Sequence, residues 1–368
     1  MSILIFIIVI VALIVVHEFG HFVAAKLSGM RVDEFGLGFP PRAMIITKVG
    51  ETEYTLNWLP LGGFVKIYGE DGKVPGDAPD PRAFSSRPRI LQAIVLVAGI
   101  AMNLLFAYVL ITGALFMGTP RALSGDELTT ARDIQLMVAN VLPGSPAARA
   151  GLTIGDTILS AEDGRYVFSG VSPAEFTKFV SDGRGNTTIA LSVRHADGKE
   201  ALLFARPTVD VITSDPSRPA LGVEVATVGV VSLSFIAAVT EGASLTWEAT
   251  KMTAVGLWHF FYGVFTLSAD LSQVAGPVGI AGIVGSASAQ GLGYLFSITA
   301  IISINLALIN LIPIPALDGG RLLFVIIESI IRRPINPRIS QAMNAVSFVF
   351  LILLMLVVTA NDIFKIVG

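Results

Sequence analysis

Two histidines and a glutamate stand in the middle of an apolar run, "IVIVALIVVHEFGHFVAAKL", where charged and metal-binding side chains are costly. On a helix, His17 and His21 are four apart and share one face, so both imidazoles can reach one metal ion. Glu18 follows the first of them and is placed to act as general base on a metal-bound water. The competing reading is a pair of core histidines satisfying each other in a polar pocket. In lipid that reading is weak, because an unpaired glutamate costs several kcal/mol and nothing offsets it.

A catalytic zinc takes three protein ligands and keeps a fourth position for water, whose pKa it brings toward about 7. The chain has no cysteine, so the third ligand must be an acid or another histidine. His195 lies in a polar hairpin and reads as a solvated surface residue. His259 lies among aromatics and reads as an anchor for its helix. Asp318 is better placed, in "NLIPIPALDGG", where two prolines and two glycines break an apolar stretch. Glycines there let the backbone approach closely. Asp318 could instead be the N-cap of a helix restarting at Gly319. The two roles are compatible, and membrane depth favours ligation.

The elements that must position these residues are mostly apolar. Of 368 residues, 53% are hydrophobic and 14% charged, against roughly a quarter charged in soluble proteins. The mean hydropathy is +0.73. The expected fold class is therefore an α-helical polytopic membrane protein of about four transmembrane helices, with a membrane-associated β-sheet and an inserted α+β domain. A net charge of −3, without a Lys/Arg-rich tract, excludes a nucleic-acid partner. Residues 1–16 contain no Lys or Arg and no small-residue cleavage site follows, so the first run reads as a retained span rather than a signal peptide.

The expected order is transmembrane helix 1 over residues 1–30 with HEFGH, then a cytoplasmic-side loop over 31–89. In that loop "RAMIITKVGETEYTLNWLPLGGFVKI" reads as a hairpin with a greasy face from Leu59, Leu61, Phe64 and Val65. Helix 2 is expected at 90–117, a soluble domain at 126–210, an amphipathic helix in the membrane interface at 240–270, helix 3 at 292–330 with the broken motif, and helix 4 at 342–362. A spanning role for 245–267 stays open. The Gly/Ala-rich "AGPVGIAGIVGSASAQGLG" suits close backbone contact or a flexible entry to helix 3.

Lys and Arg gather in the loop from Lys26 to Arg89 and at Arg321, Arg332, Arg333 and Arg338. With four spans, both basic loops fall on the cytoplasmic side. The termini and the soluble domain then lie on the periplasmic, extracytoplasmic side.

In that domain, "VLPGSPAARAGLTIGDTILSAEDG", a Ser172-capped helix and a hairpin turned at Asp197-Gly198 resemble a PDZ domain of the bacterial protease-associated type, which receives peptide ends by strand addition. "FGLGF" (Phe35 to Phe39) imitates a carboxylate-binding loop but precedes this domain and reads as a decoy.

HEFGH in one span and NLIPIPALDGG in a later one resemble the site-2 protease family of intramembrane zinc metalloproteases. "FGLGFPPR", "GGFVKIYGED" and the single PDZ-like insertion bring the chain closest to the RseP-type branch (regulator of sigma-E protease). The resemblance implies Zn2+ as cofactor, His17, His21 and Asp318 as its ligands, and Glu18 as catalytic base. It implies that Asn310 holds or polarises the substrate backbone, and that the "GGFVKIYGE" strands form a membrane-reentrant β-element.

It further implies a bacterial inner (plasma) membrane enzyme acting on single-span membrane proteins already cut on the outer side, such as anti-sigma factors, and on remnant signal peptides. The better-known members carry two tandem PDZ domains and this chain has room for one. A membrane zinc carrier would bring internal repeats and a second metal relay, neither of which the sequence contains.

Overall fold

The computed structural model describes residues 2–70, 80–123, 125–129, 131–182, 187–195, 198–209, 211, 217–266, 275–333 and 335–367. The chain forms two compact units, Met1–Ala114 with Phe235–Gly368, and Leu115–Ser234.

The first unit is built on helices apolar on nearly every side. α1 (Ser2–Leu27), α2 (Arg89–Met117), α7 (Leu292–Leu311) and α9 (Pro337–Val367) each contain a stretch long and apolar enough to cross a membrane. At 1.5 Å per residue, the 26 residues of α1 rise about 39 Å, more than a hydrocarbon core. Exposed Ile94, Leu105, Val109, Ile301, Val349 and Leu353 are what lipid-facing helix surfaces present. The chain is a multi-pass membrane protein. Thr299 and Ser297 return their hydroxyls to the carbonyls of Leu295 and Gly293, so these polar side chains need no outside partner in an apolar medium.

Further helices belong to this unit, among them α8 (Asp318–Ile331), which carries part of the site. α5 (Phe235–Phe265) starts five residues before the expected segment, and residues 267–270 of that expectation lie outside the described residues. Gly242 of α5 abuts Thr112 of α2, and Tyr108 donates to the carbonyl of Val239 at 3.2 Å. α6 (Pro277–Ala289) is a regular helix where Gly/Ala composition pointed to close backbone contact or a flexible entry. Its Val284 is fully buried in a cluster with Val9 and Leu13 of α1, so the small residues serve close helix packing.

Between α1 and α2, strands β1 (Val32–Val49) and β2 (Thr52–Ile67) pair antiparallel as one hairpin. The first part of β1 has partners on both sides: Phe35 and Leu37 oppose Val65 and Gly63, and also Tyr54 and Leu56. That segment is held on α1 by Phe22, whose ring meets Phe35 at 5.6 Å and Tyr54 at 6.1 Å. The outer part projects Met44, Ile45, Ile46, Leu56, Trp58 and Leu59 outward, all exposed. Val65 is buried and Phe64 half-buried, while the Leu61 side chain and Asp71 lie outside the described residues.

The second unit holds a seven-stranded sheet in the order β3-β9-β4-β5-β7-β8, with β6 paired to β5. Its strands are β3 (Thr119–Ala122), β4 (Arg132–Val141), β5 (Thr157–Glu162), β6 (Val167–Phe168), β7 (Ile189–Arg194), β8 (Glu200–Ala205) and β9 (Val223–Val231). Leu136, Val138, Ile158, Leu191 and Val193 line its core. α3 (Pro146–Arg149) is capped by Ser145, which accepts from the Ala148 N–H at 3.2 Å. α4 (Pro173–Asp182) buries Phe176 and Val180, one turn apart.

The unit is larger than the expected 126–210. β9 lies between β3 and β4, so two elements outside the expected bounds belong to the sheet. Asp197 of the β7–β8 turn is outside the described residues, but Arg194 and Glu200 pair on either side of it. "FGLGF" falls in β1 of the other unit.

Candidate metal centre

α1 brings His17 and His21 onto one face, with ring centroids 4.8 Å apart and planes at 85°. Their Nε2 atoms lie 3.2 Å from each other. Asp318 Oδ2 lies 3.0 Å from Nε2 of His17 and 3.2 Å from Nε2 of His21. Both histidines are buried. Ligands about 2.0–2.1 Å from a tetrahedral zinc stand about 3.3 Å from one another. The three observed separations match that triangle, and two imidazole nitrogens with a carboxylate oxygen are a zinc donor set. Among the described residues these three side chains fit a zinc ion.

The break in the third span sets Asp318 there. α7 ends at Leu311 and α8 (Asp318–Ile331) begins after Ile312–Leu317. Pro313 and Pro315 supply no N–H and disfavour a helical residue before them, so the helix cannot continue. Asp318 is the first residue of α8 rather than its cap; that position is Leu317, which makes no side-chain cap bond. The Asp318 carboxylate turns to the histidines instead. A Cβ on Gly319 would collide with the Leu311 carbonyl, and one on Gly320 with that of Ile314. Only glycines let α8 start so tightly against the turn.

α2 forms the back wall. A Cβ on Gly20 would collide with the Ala98 carbonyl, and one on Gly99 would collide with His21 Nε2 and come within 2.9 Å of His17 Cε1. The two helices therefore cross on bare backbone at the level of the imidazoles. His21 Nδ1 meets the Val95 carbonyl at 2.8 Å, and His17 Nδ1 meets Asn103 Nδ2 at 3.2 Å. Ser303 of α7 donates to the Asn103 carbonyl at 2.8 Å.

Glu18 is half-buried beside this cluster, and a Cβ on Gly63 of β2 would come 3.7 Å from its Cγ. The segment of β2 from Gly62 to Ile67 thus runs past the glutamate. A cavity of about 410 Å³ opens against Asp318, Pro315, Arg321, Asn344 and Phe348.

Asn310 sits half-buried in the last turn of α7, eight residues before Asp318. His259 is exposed on α5 and outside the cluster. His195 differs from its expected solvated state: Nδ1 is 2.8 Å from Oδ1 of fully buried Asp156 in the β-sheet unit. Sequence reasoning did not reach Gly20, Gly99 or Asn103. An asparagine inside an otherwise apolar span was the available signal.

The protein family model for peptidase family M50 matches residues 5–354. Curated relatives include a protein of Clostridium perfringens, 34% identical over 352 residues, which are 96% of this chain and 95% of the relative. Another, of a Nostoc species, is 35% identical over 359 residues, 96% and 93% of the two chains. A third, of a Synechocystis species, is 32% identical over 372 residues, 96% and 92%. All three carry a zinc-metalloprotease assignment in their names. A match of that extent makes the chain a member of peptidase family M50, the site-2 protease family that its motifs resemble.

Proposed function

We propose that this chain hydrolyses peptide bonds within transmembrane segments of single-span membrane proteins. Membership of the M50 family makes it a zinc-dependent metallopeptidase. The observation that carries this reading is the convergence of His17 and His21, on a helix apolar enough to cross a membrane, with Asp318 at the start of α8, all beside Glu18.

His17, His21 and Asp318 hold the zinc in this reading. A zinc ion there supplies Lewis acidity, acidifying a water and polarising the scissile carbonyl. Glu18 takes the proton from the attacking water and returns it to the departing amide nitrogen. A transmembrane helix hides its amides in its own hydrogen bonds and must be unwound before attack. The Gly62–Ile67 edge of β2, beside Glu18, offers replacement backbone partners by strand pairing, and Asn310 holds the substrate backbone in this reading. The exposed apolar outer part of the hairpin dips into the bilayer.

The Leu115–Ser234 unit acts as a PDZ domain on the extracytoplasmic side of a bacterial inner membrane and receives peptide ends. The Ser145-capped helix in "SPAARAGL" and the α4 helix support that reading. α5 lies in the interface. Substrates are proteins already shortened on the outer side, anti-sigma factors and remnant signal peptides among them.

The test is reconstitution of the full chain in liposomes with a single-span substrate lacking most of its outer domain. Cleavage inside the apolar segment, lost on chelation and restored by Zn2+, is expected. An intact substrate, or cuts confined to its soluble parts, overturns the proposal.

A further inference from the structure

We propose that Asn103 of α2 is a positioning residue for the metal centre: its side-chain oxygen accepts the Nδ1 proton of His17 and so fixes the tautomer and ring plane that turn Nε2 to the metal. The inference rests on the reading above that His17 takes zinc.

His17 Nε2 is the nitrogen facing Asp318 and His21, at 3.0 Å and 3.2 Å. A neutral imidazole carries one proton, so if Nε2 gives its lone pair to a metal, Nδ1 must be N–H and needs an acceptor. For His21 the acceptor is plain: the Val95 carbonyl at 2.8 Å can only accept. For His17 the neighbour of Nδ1 is the Asn103 amide, at 3.2 Å to Nδ2.

Asn103 is fully buried, and its Oδ1 is buried without a hydrogen-bond partner. The two ends of the amide are nearly alike in size, and the hydrogen-bond network decides which end points where. With Nδ1 protonated, an amide N–H facing it sets donor against donor. The opposite orientation sets the orphan oxygen on the orphan proton. Metal loading therefore selects Oδ1 toward His17.

The surroundings leave Asn103 little freedom to do anything else. It lies one turn beyond Gly99, the residue whose bareness admits both imidazoles. Its own carbonyl is held by Ser303 Oγ at 2.8 Å, and Ser303 is also fully buried. α7, which leads to the Asp318 turn, thus braces the α2 residue that orients His17. A zinc histidine whose second nitrogen is fixed in this way holds its metal more tightly.

The experiment compares full-length protein in detergent carrying Asn103→Leu and Asn103→Asp with the native chain. Zinc affinity is measured by competition with a chromophoric chelator, and melting is recorded for the metal-free proteins. Asn103→Leu keeps the shape and removes the acceptor, so zinc affinity is expected to fall about 10- to 100-fold with little change in metal-free melting. Asn103→Asp supplies an obligate acceptor and is expected to match or exceed the native affinity.

Equal zinc affinity in Asn103→Leu and the native protein overturns the inference. So do equal losses in both variants, which would mark a packing role. If Asn103→Leu fails to fold, Asn103→Asp decides alone, and a loss of tenfold or more overturns it. Uptake of no zinc by the native chain overturns this inference together with the proposed function. Native uptake with unaffected variants removes this inference only.

Discussion

Nε2 of His17 and Oδ2 of Asp318 meet at 3.0 Å across 301 residues of chain. The carboxylate could have capped α8, but Leu317 holds that position and Asp318 faces the histidines. Asp318→Asn should therefore leave α8 formed and strip the site of its only anionic member among the three. Circular dichroism should show unchanged helix content. Zinc affinity should fall by more than the roughly 100-fold that outer-shell changes reach.

Glu18 lies beside the triangle without belonging to it. Glu18→Gln keeps the shape and removes the base, so zinc content by elemental analysis should stay near one per chain. Cleavage of a reconstituted single-span substrate should drop about 10²- to 10⁴-fold, the usual worth of a positioned general base. Comparable cleavage by the variant would assign the proton transfer to another group.

Gly99 makes the case for backbone as part of the site. Gly99→Ala sets a methyl group where His21 Nε2 and His17 Cε1 now lie. Because α2 is apolar and alanine favours helix, the helix should persist while the imidazoles are pushed from the shared point. Zinc binding and cleavage should both be lost in a protein that still elutes as folded. Gly20→Ala meets a carbonyl oxygen of Ala98 instead, so the helices must part. Its expected signature is a lower melting temperature, from an overpacking cost of about 1–3 kcal/mol.

What could be read in advance follows from how far each signal reaches along the chain. HEFGH carries its own geometry, because spacing on one helix fixes a shared face. The break before Asp318 was legible because Pro313 and Pro315 stop a helix locally. The wall behind the imidazoles was legible only in part: Asn103 stands out as an amide in an apolar run, but Gly99 matters only through a helix crossing that no local pattern encodes. α6 was hidden because its Gly and Ala serve a tight contact with α1, which looks like flexibility in composition alone. β9 alternates β-branched residues in "VEVATVGVV", but it follows a Pro/Ser-rich stretch that reads as the end of a domain. Tertiary pairing between β3 and β4 then decides its place.

The β-sheet unit has a buried acid of its own. Asp156 is fully buried and accepts from the Thr153 N–H at 2.8 Å, the Thr153 hydroxyl at 3.0 Å and His195 at 2.8 Å. It precedes β5 and ties the turn after α3 to the β7–β8 hairpin. Asp156→Ala leaves three donors with no acceptor, each costing about 1–3 kcal/mol where water does not replace it. Hydrogen exchange across Thr157–Glu162 and Ile189–Arg194 in the full chain should accelerate by at least tenfold. His195→Ala removes one partner, at the partly exposed end, and should have a smaller effect. Because neither residue belongs to the His17–His21–Asp318 cluster, zinc affinity should not change in either variant. A loss of zinc in Asp156→Ala would mean that unfolding of this unit spreads to the helices, and that the two units do not melt independently.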